Sequence, residues 1–257
     1  MVANSTNSAA GEDGLSEQQR AVLEHIRLFR ITTQELARRA CFPSDATPAG
    51  VDSFFARLRK RGLVRAAQLI GTEKYYHLSP AAYQTVFNEN AVEERVGSYA
   101  VVEWYGRLLF CMRRPEVRRK LHWSEFDRAF PMLRDSRQPR RHAFYVDKET
   151  GTHRLGMIYV DPGNRFDRVA KRLRNKLLGG LLSQTVWREQ LIDGDRFTLA
   201  VVCTSPVRAS QLHQELDPAN QCPRIRFCVE AAPELLPLVH RRHAESNRGR
   251  GKAQEPG

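Results

Sequence analysis

Between Leu15 and Phe87 the apolar residues fall at helical spacing three times in succession and then switch to strand-like alternation, an order that few folds accept in so short a stretch. Ser16-Glu17-Gln18-Gln19 has the form of a capping box and opens a helix with Val22, Leu23, Ile26 and Phe29 on one face. Thr32-Thr33-Gln34-Glu35 reads as a second such box ahead of Leu36 and Ala40. A third helix opens at Thr47 with Pro48 at its first position, where a missing N–H costs nothing, and closes at Gly62, suited to a left-handed C-cap. Within it Val51, Phe54, Phe55 and Leu58 recur at i, i+3, i+4 and i+7 and share the inner side, which leaves Ala49, Ser53, Ala56, Arg57 and Lys60 facing out. Leu63-Val64-Arg65 then begins an extended run to Gly71-Thr72, and Lys74-Tyr75-Tyr76-His77-Leu78 returns with the aromatic bias of a strand. Ser79-Pro80 opens a short helix through Tyr83 and Phe87.

Three helices followed by a hairpin are the plan of a winged helix, here over residues 15–90. The charge on these elements points to DNA: Arg38, Arg39, Arg57, Arg59, Lys60, Arg61 and Arg65 lie on the second helix, the third helix and the first wing strand, against few acids. Thr47, Ser53, Arg57, Lys60, Arg61, Arg65 and Lys74 are the candidate DNA contacts. The bland alternative is a solvated face on a protein-interaction adaptor. Over the whole chain, 41 Lys+Arg stand against 29 Asp+Glu for a formal charge of +12, which favours a polyanionic partner, double-stranded DNA, with steep salt dependence. No apolar run is long enough to cross a bilayer and the first residues do not resemble a secretory signal, so a cytoplasmic protein without a membrane partner is expected.

The five cysteines, Cys41, Cys111, Cys203, Cys222 and Cys228, are odd in number and lack a C-x-x-C pair, so reduced, buried thiols are expected rather than a disulfide framework or a zinc site. His240 and His243 stand three apart in a run of Arg, with no Cys or carboxylate at ligand spacing. No metal and no cofactor is expected.

A chain of 257 residues can hold two modest domains. Residues 1–14 read as disordered, and 240–257 as a disordered basic tail carrying Arg241, Arg242, Arg248, Arg250 and Lys252. Residues 91–141 read as a helical connector, with Tyr99, Val102, Gly106 and Leu109 at helical spacing and dimerisation as the alternative role. Arg113-Arg114 and Arg118-Arg119-Lys120 read as basic surface. Residues 142–239 alternate strand and helix patterns: strands at 142–146, 154–160, 197–202 and 225–229, the third a continuous apolar run of the buried kind. Between them, a helix from Arg165 to Lys176 has Val169, Leu173 and Leu177 as its inner stripe and bases on the rest. Arg168, Lys171 and Arg172 are candidates there for a phosphate track. The fold class expected is α+β or α/β: a winged helix followed by a small mixed-sheet α/β domain, which could also dock a protein partner. A palindromic DNA site would imply a homodimer.

Lys74-Tyr75-Tyr76-His77-Leu78-Ser79 at the end of the wing, with Tyr145-Val146-Asp147 and Ile158-Tyr159-Val160-Asp161 in the second domain, resembles the replication-relaxation proteins of plasmids and integrative elements. The resemblance implies DNA binding near origins of replication or transfer, an accessory or regulatory role, and a second domain similar to the restriction-endonuclease core. Such a nuclease needs an Asp, then an acid-x-Lys on the next strand, to hold Mg²⁺ and assist the attacking water. Asp147 could be the first acid, but Tyr159, Val160, Asp161 and Pro162 supply no Lys, and Lys148 between Asp147 and Glu149 has the wrong spacing. A relaxase would need a nucleophilic Tyr with a His-hydrophobe-His pair, which the sequence lacks. No catalytic residue is therefore assigned and no enzyme is expected; the competing reading is a nuclease with a rearranged site around Asp147, Glu149, Asp161 and Lys171.

Overall fold

The computed structural model describes residues 14–89, 96–133, 143–216 and 224–251. The chain parts between Val96 and Gly97 into two compact units. The first contains α1 (Glu17–Phe29), β1 (Thr32–Thr33), α2 (Gln34–Cys41), α3 (Pro48–Lys60), β2 (Val64–Ile70), β3 (Glu73–Leu78) and α4 (Pro80–Phe87). Its three-stranded antiparallel sheet has the order β1-β3-β2.

Local chemistry accounts for most of these boundaries. At α1 the expected box is complete, with the Gln19 N–H donating to Ser16 Oγ (3.2 Å) and the Ser16 N–H to Gln19 Oε1 (3.1 Å). The second box is shifted by one residue. Thr32 belongs to β1, opposite Tyr76, and Thr33 caps α2 by accepting the Leu36 N–H (3.3 Å), so the position that should return a carboxylate holds a leucine. α3 ends in a Schellman turn: Leu63 N–H reaches Leu58 O (3.0 Å) and Gly62 N–H reaches Arg59 O (2.9 Å), with Gly62 at φ +70°. Val22, Leu23, Ile26, Val51, Phe54, Phe55 and Leu58 form the core with Tyr76 and Leu78.

His25 is buried in this unit, its Nε2 3.1 Å from Thr32 Oγ1, and burial lowers its pKa from 6.5 to about 4. The folded value lies below the unfolded one, so the unfolded chain takes up the proton first as pH falls. Stability is complete above about pH 6.5 and declines by about 1.4 kcal/mol per unit towards about pH 4. Denaturant melts of the full chain, read by amide exchange in α1, should show that slope, and His25→Gln should remove it.

The second unit runs α5 (Ser98–Arg113), β4 (Arg118–Lys120), α6 (Trp123–Ala129), β5 (Phe144–Asp147), β6 (Arg154–Val160), α7 (Phe166–Lys171), a π-helical stretch (Arg172–Leu178), α8 (Gly179–Leu182), α9 (Thr185–Trp187), a second π-helical stretch (Arg188–Ile192), β7 (Phe197–Cys203), α10 (Pro206–Glu215), β8 (Ile225–Ala231) and α11 (Leu236–Gly251). Its sheet has the order β4-β5-β6-β7-β8. The first two pairings are antiparallel and the last two parallel, so β5 alone runs against the others. This is the mixed sheet the sequence pattern calls for. One face packs Leu155, Met157, Leu199 and Val201 against Leu173, Leu181, Trp187 and Leu212. The other meets α5, where Gly106 lies so near β6 that an added Cβ would fall 2.6 Å from Val160 Cγ1. All seven residues of β7 are buried, as its continuous apolar run requires.

Three expectations need correction. α5, β4 and α6 are not a connector: they belong to the second unit, with α5 packed on β6 and β4 forming an edge of the sheet. Arg118-Arg119-Lys120 is basic surface only at Arg119, because strand alternation turns Arg118 and Lys120 inward, where they are buried. The basic helix buries Val169 and Leu173, as its inner stripe requires, and passes into the π-helical stretch, where Leu178 is buried too; the side chain of Leu177, the third residue expected on the stripe, lies outside the described ones. Finally, α11 continues to Gly251 through the segment expected to be a disordered tail from His240. Residues 1–13, 91–95, His142, Cys222 and 252–257, on which other expectations rest, lie outside the described residues. Cys41, Cys111, Cys203 and Cys228 are free thiols, and no described helix is long and apolar enough to cross a membrane.

Candidate nucleic-acid interface

The rotation of α3 is set by its inner stripe. Phe54 packs edge-on to Phe42 with ring centroids 5.0 Å apart, and Phe55 lies 4.2 Å from Tyr76 of β3. With those rings inside, Ala49, Ser53, Ala56, Arg57 and Lys60 are exposed, as their spacing requires. The same rotation sets Arg59 on the flank that faces the β2–β3 hairpin. There a shallow groove of about 540 Å³ is lined by Arg59, Ala66, Ala67, Gln68, Thr72 and Lys74. The hairpin turns through Gly71 at φ +53°, and Gln68 Nε2 donates to Gly71 O (2.6 Å). Arg65 on β2 and Lys74 on β3 are exposed.

Arg57, Arg59, Lys60, Arg65 and Lys74 make no ion pair among the described residues, although the Arg57 guanidinium lies over the Phe54 ring at 5.9 Å. Other sequence candidates are already engaged. The Arg61 guanidinium donates to Gln19 Oε1 (3.0 Å) and turns towards the start of α1. Thr47 Oγ1 accepts the Gly50 N–H (3.2 Å) and works as a cap, and Arg38 is paired with Glu35 (2.9 Å). Acids gather near the start of α3: Glu35, Asp52 and Glu73 line one pocket of about 390 Å³ with Gln34, which donates to Tyr76 Oη (3.0 Å) and to Asp52. The cationic part of the face is therefore the last half of α3 with the hairpin. The candidates taken from the sequence omit Arg59, Gln68 and Thr72; helical periodicity places Arg59 beside the outer face, but only the strand pairing shows that the hairpin lies on that side.

On the second unit Arg168 and Lys171 are exposed on α7, whereas Arg172 is half-buried over the Tyr159 ring at 5.9 Å. Arg165 pairs with Asp167 (3.3 Å) and Arg174 with Glu215 (2.5 Å). A phosphate track on this helix thus reduces to Arg168 and Lys171. Replacing both by Gln should flatten the slope of log affinity against log salt by about two units if each meets a phosphate. An unchanged slope would remove this helix from the DNA surface.

The carboxylates do not converge as a rearranged nuclease site would require. Asp147 ends β5 opposite Arg154, the first residue of β6, and Asp161 follows Val160 at the far end of that strand, so their backbones are separated by roughly 20 Å at strand rise. Each is satisfied where it stands. Asp147 Oδ2 accepts from Thr198 Oγ1 (2.8 Å) and Arg226 Nη1 (2.9 Å), and its Oδ1 takes the Glu149 N–H (2.9 Å). Asp161, fully buried, accepts the Gly163 N–H (2.9 Å) and pairs with Arg208.

Around Asp147 the polar groups form a network. Arg118, stacked 3.9 Å over the Phe110 ring, donates to Glu149 Oε1 (2.7 Å) and to both carboxylate oxygens of Glu230, and Arg226 donates to Glu149 Oε2 (2.6 Å). Glu149, Cys228 and Glu230 come close enough together to suggest metal ligands, but two guanidinium groups already neutralise the carboxylates. Burial pushes the Glu149 carboxyl up, and the hydrogen bonds from Arg118 and Arg226 outweigh it, holding its pKa below the ordinary value. Burial works against the charge on Arg118, yet Glu230 and Glu149 raise its pKa overall. The Cys228 thiol is pushed up to about 12 by burial and is a poor nucleophile at neutral pH. No family model, curated protein or solved structure matches the chain.

Proposed function

We propose that the chain is a DNA-binding regulatory or accessory protein, not an enzyme, whose first unit is a winged helix that reads double-stranded DNA through α3 and the β2–β3 hairpin. The observation that carries this reading is the set Arg57, Arg59, Lys60, Arg65 and Lys74, exposed on adjoining elements and without an ion pair among the described residues. The order of helices and strands in this unit supports it, and so do the small outward residues Ala49, Ser53 and Ala56, which let a helix approach a major groove closely. The second unit is read as an α/β core of the endonuclease type, in which Asp147 and Asp161 stand too far apart to share a metal ion, and which adds the Arg168–Lys171 surface or docks a protein partner. Control of transcription, replication or transfer of a mobile element is the role the sequence resemblance suggests, and the cytoplasm is the place suggested by a sequence without a bilayer-length apolar run.

Fluorescence anisotropy of a labelled duplex, titrated at several salt concentrations, tests the reading. Five phosphate contacts give a slope of roughly −4 to −5 in log affinity against log salt. An affinity that does not change with salt would favour an adaptor that binds a protein, and Mg²⁺-dependent nicking of supercoiled plasmid would favour the nuclease.

A further inference from the structure

β8 closes one side of the five-stranded sheet and, among the described residues, pairs with no strand but β7. It runs in unbroken register from Ile225, opposite Phe197, to Ala231, opposite Cys203, and contains no proline. An edge of this length is usually blunted by a proline, a bulge or a lysine, because its unpaired backbone donors and acceptors recruit another strand. None of these is present, and Arg226 to Ala231 are all half-buried.

One bond fixes which groups lie on the open side. The Ala232 N–H donates to Cys203 O (2.6 Å), and residues facing a neighbouring strand alternate. Arg226, Cys228 and Glu230 therefore turn their backbone groups to β7, while Phe227 and Val229 turn theirs outward. Ala231 O, also outward, is held by Arg113 (2.5 Å), and Ile225 is buried, so the open stretch centres on Cys228.

We propose that this edge pairs antiparallel with the β8 of a second copy of the chain, about a two-fold axis at Cys228. A two-fold contact must be self-complementary, and this one is. Phe227 and the partner's Val229 exchange both backbone hydrogen bonds, and so do Val229 and the partner's Phe227. Arg226 lies across from the partner's Glu230, and Glu230 across from the partner's Arg226, on the face where cross-strand side chains are closest. Centring the pair on Arg226 or on Glu230 would oppose like charges instead. Within one chain Arg226 already meets Asp147 and Glu149, and Glu230 meets Arg118, yet their side chains keep 26% and 27% of their surface exposed. The ion network then runs unbroken through the axis. The two Cys228 residues face each other in a non-hydrogen-bonded pair, about 4.5 Å between Cα atoms, a separation that a disulfide can span. This dimer does not depend on the DNA reading, and either can fail without the other.

Sedimentation of the full chain should give twice the 29.5 kDa monomer mass, and a monomer at all accessible concentrations overturns the proposal. Arg226→Glu alone and Glu230→Arg alone each oppose like charges twice and should sediment as monomers. Mixing the two variants restores both opposite pairs and should restore a dimer. Single variants that remain dimeric, or a mixture that remains monomeric, overturn it. If either variant fails to fold, oxidation of the wild-type protein with copper phenanthroline decides. A covalent dimer that disappears in Cys228→Ser supports the pairing; one that persists in Cys228→Ser, or none at all, overturns it.

Discussion

Replacing Arg59, Lys60 and Lys74 together by Gln is expected to weaken duplex binding by on the order of a hundredfold, at about 1 kcal/mol for each side chain that no longer meets the DNA. The three residues span the outer face of α3, its hairpin flank and the hairpin itself, and none is tied to an acid among the described residues, so the loss falls on the complex and not on the fold. The salt slope should flatten by nearly one unit for every phosphate left unneutralised. Asp52→Asn should act in the opposite direction, since it removes a negative charge beside the same groove and leaves the partner Gln34 a neutral acceptor. Anisotropy titrations on all the variants, with circular dichroism to verify folding, make the comparison. Equal affinity of the triple variant and the wild type would take α3 and the hairpin out of the binding role.

Arg118→Ala should cost the second unit about 3–5 kcal/mol, the usual consequence of removing one partner from a buried ion pair. Its loss leaves Glu230 without its guanidinium, leaves Glu149 with Arg226 and the more exposed Arg114, and takes a cation from above the Phe110 ring. Arg118→Lys should recover only part of this, because a single ammonium cannot serve two carboxylates and a ring together. The effect carries a pH signature. Glu149 has a folded pKa below its unfolded value, so its contribution is present above about pH 4.3 and disappears as pH falls through the folded value. Melting curves of wild type and variant should therefore differ at neutral pH by on the order of 10 °C and draw together in acid. A gap that stays constant with pH would mean that the loss is one of packing alone.

The first unit was legible because its signals are local. A hydroxyl before Pro48, a glycine at the end of α3 and four apolar residues at helical spacing each act within a few residues, and the structure keeps every one of them. β1 was not legible, since two threonines before a helix look like a cap until Tyr75 and Tyr76 arrive to pair with them. In the second unit β5 to β8 announced themselves through apolar runs, but β4 is three basic residues, and no alternation can be read from Arg118-Arg119-Lys120 without knowing that Glu149 and Glu230 lie on the inner side. The π-helical stretch was equally hidden, because it adds a residue to the turn without changing the composition. At the candidate interface the sequence supplied Arg57, Lys60, Arg65 and Lys74, which make no ion pair among the described residues, but it could not show that Thr47 also caps α3 or that Arg61 donates to Gln19, since the second depends on how α1 packs beside α3.

The lone reversed strand in the second sheet also sets an order of assembly. β5 and β6 meet through a short hairpin, whereas β7 and β8 join only through helical crossovers, whose closure entropy must be met before any ladder bond forms. Pulse-labelled exchange during refolding should find the amides of β5 and β6 protected before those of β8. On a ribosome the same asymmetry favours the nascent chain: the strands that pair quickly emerge first, and the bare edge at β8, the one most able to recruit a stranger, is made last, when β7 is already in place to receive it.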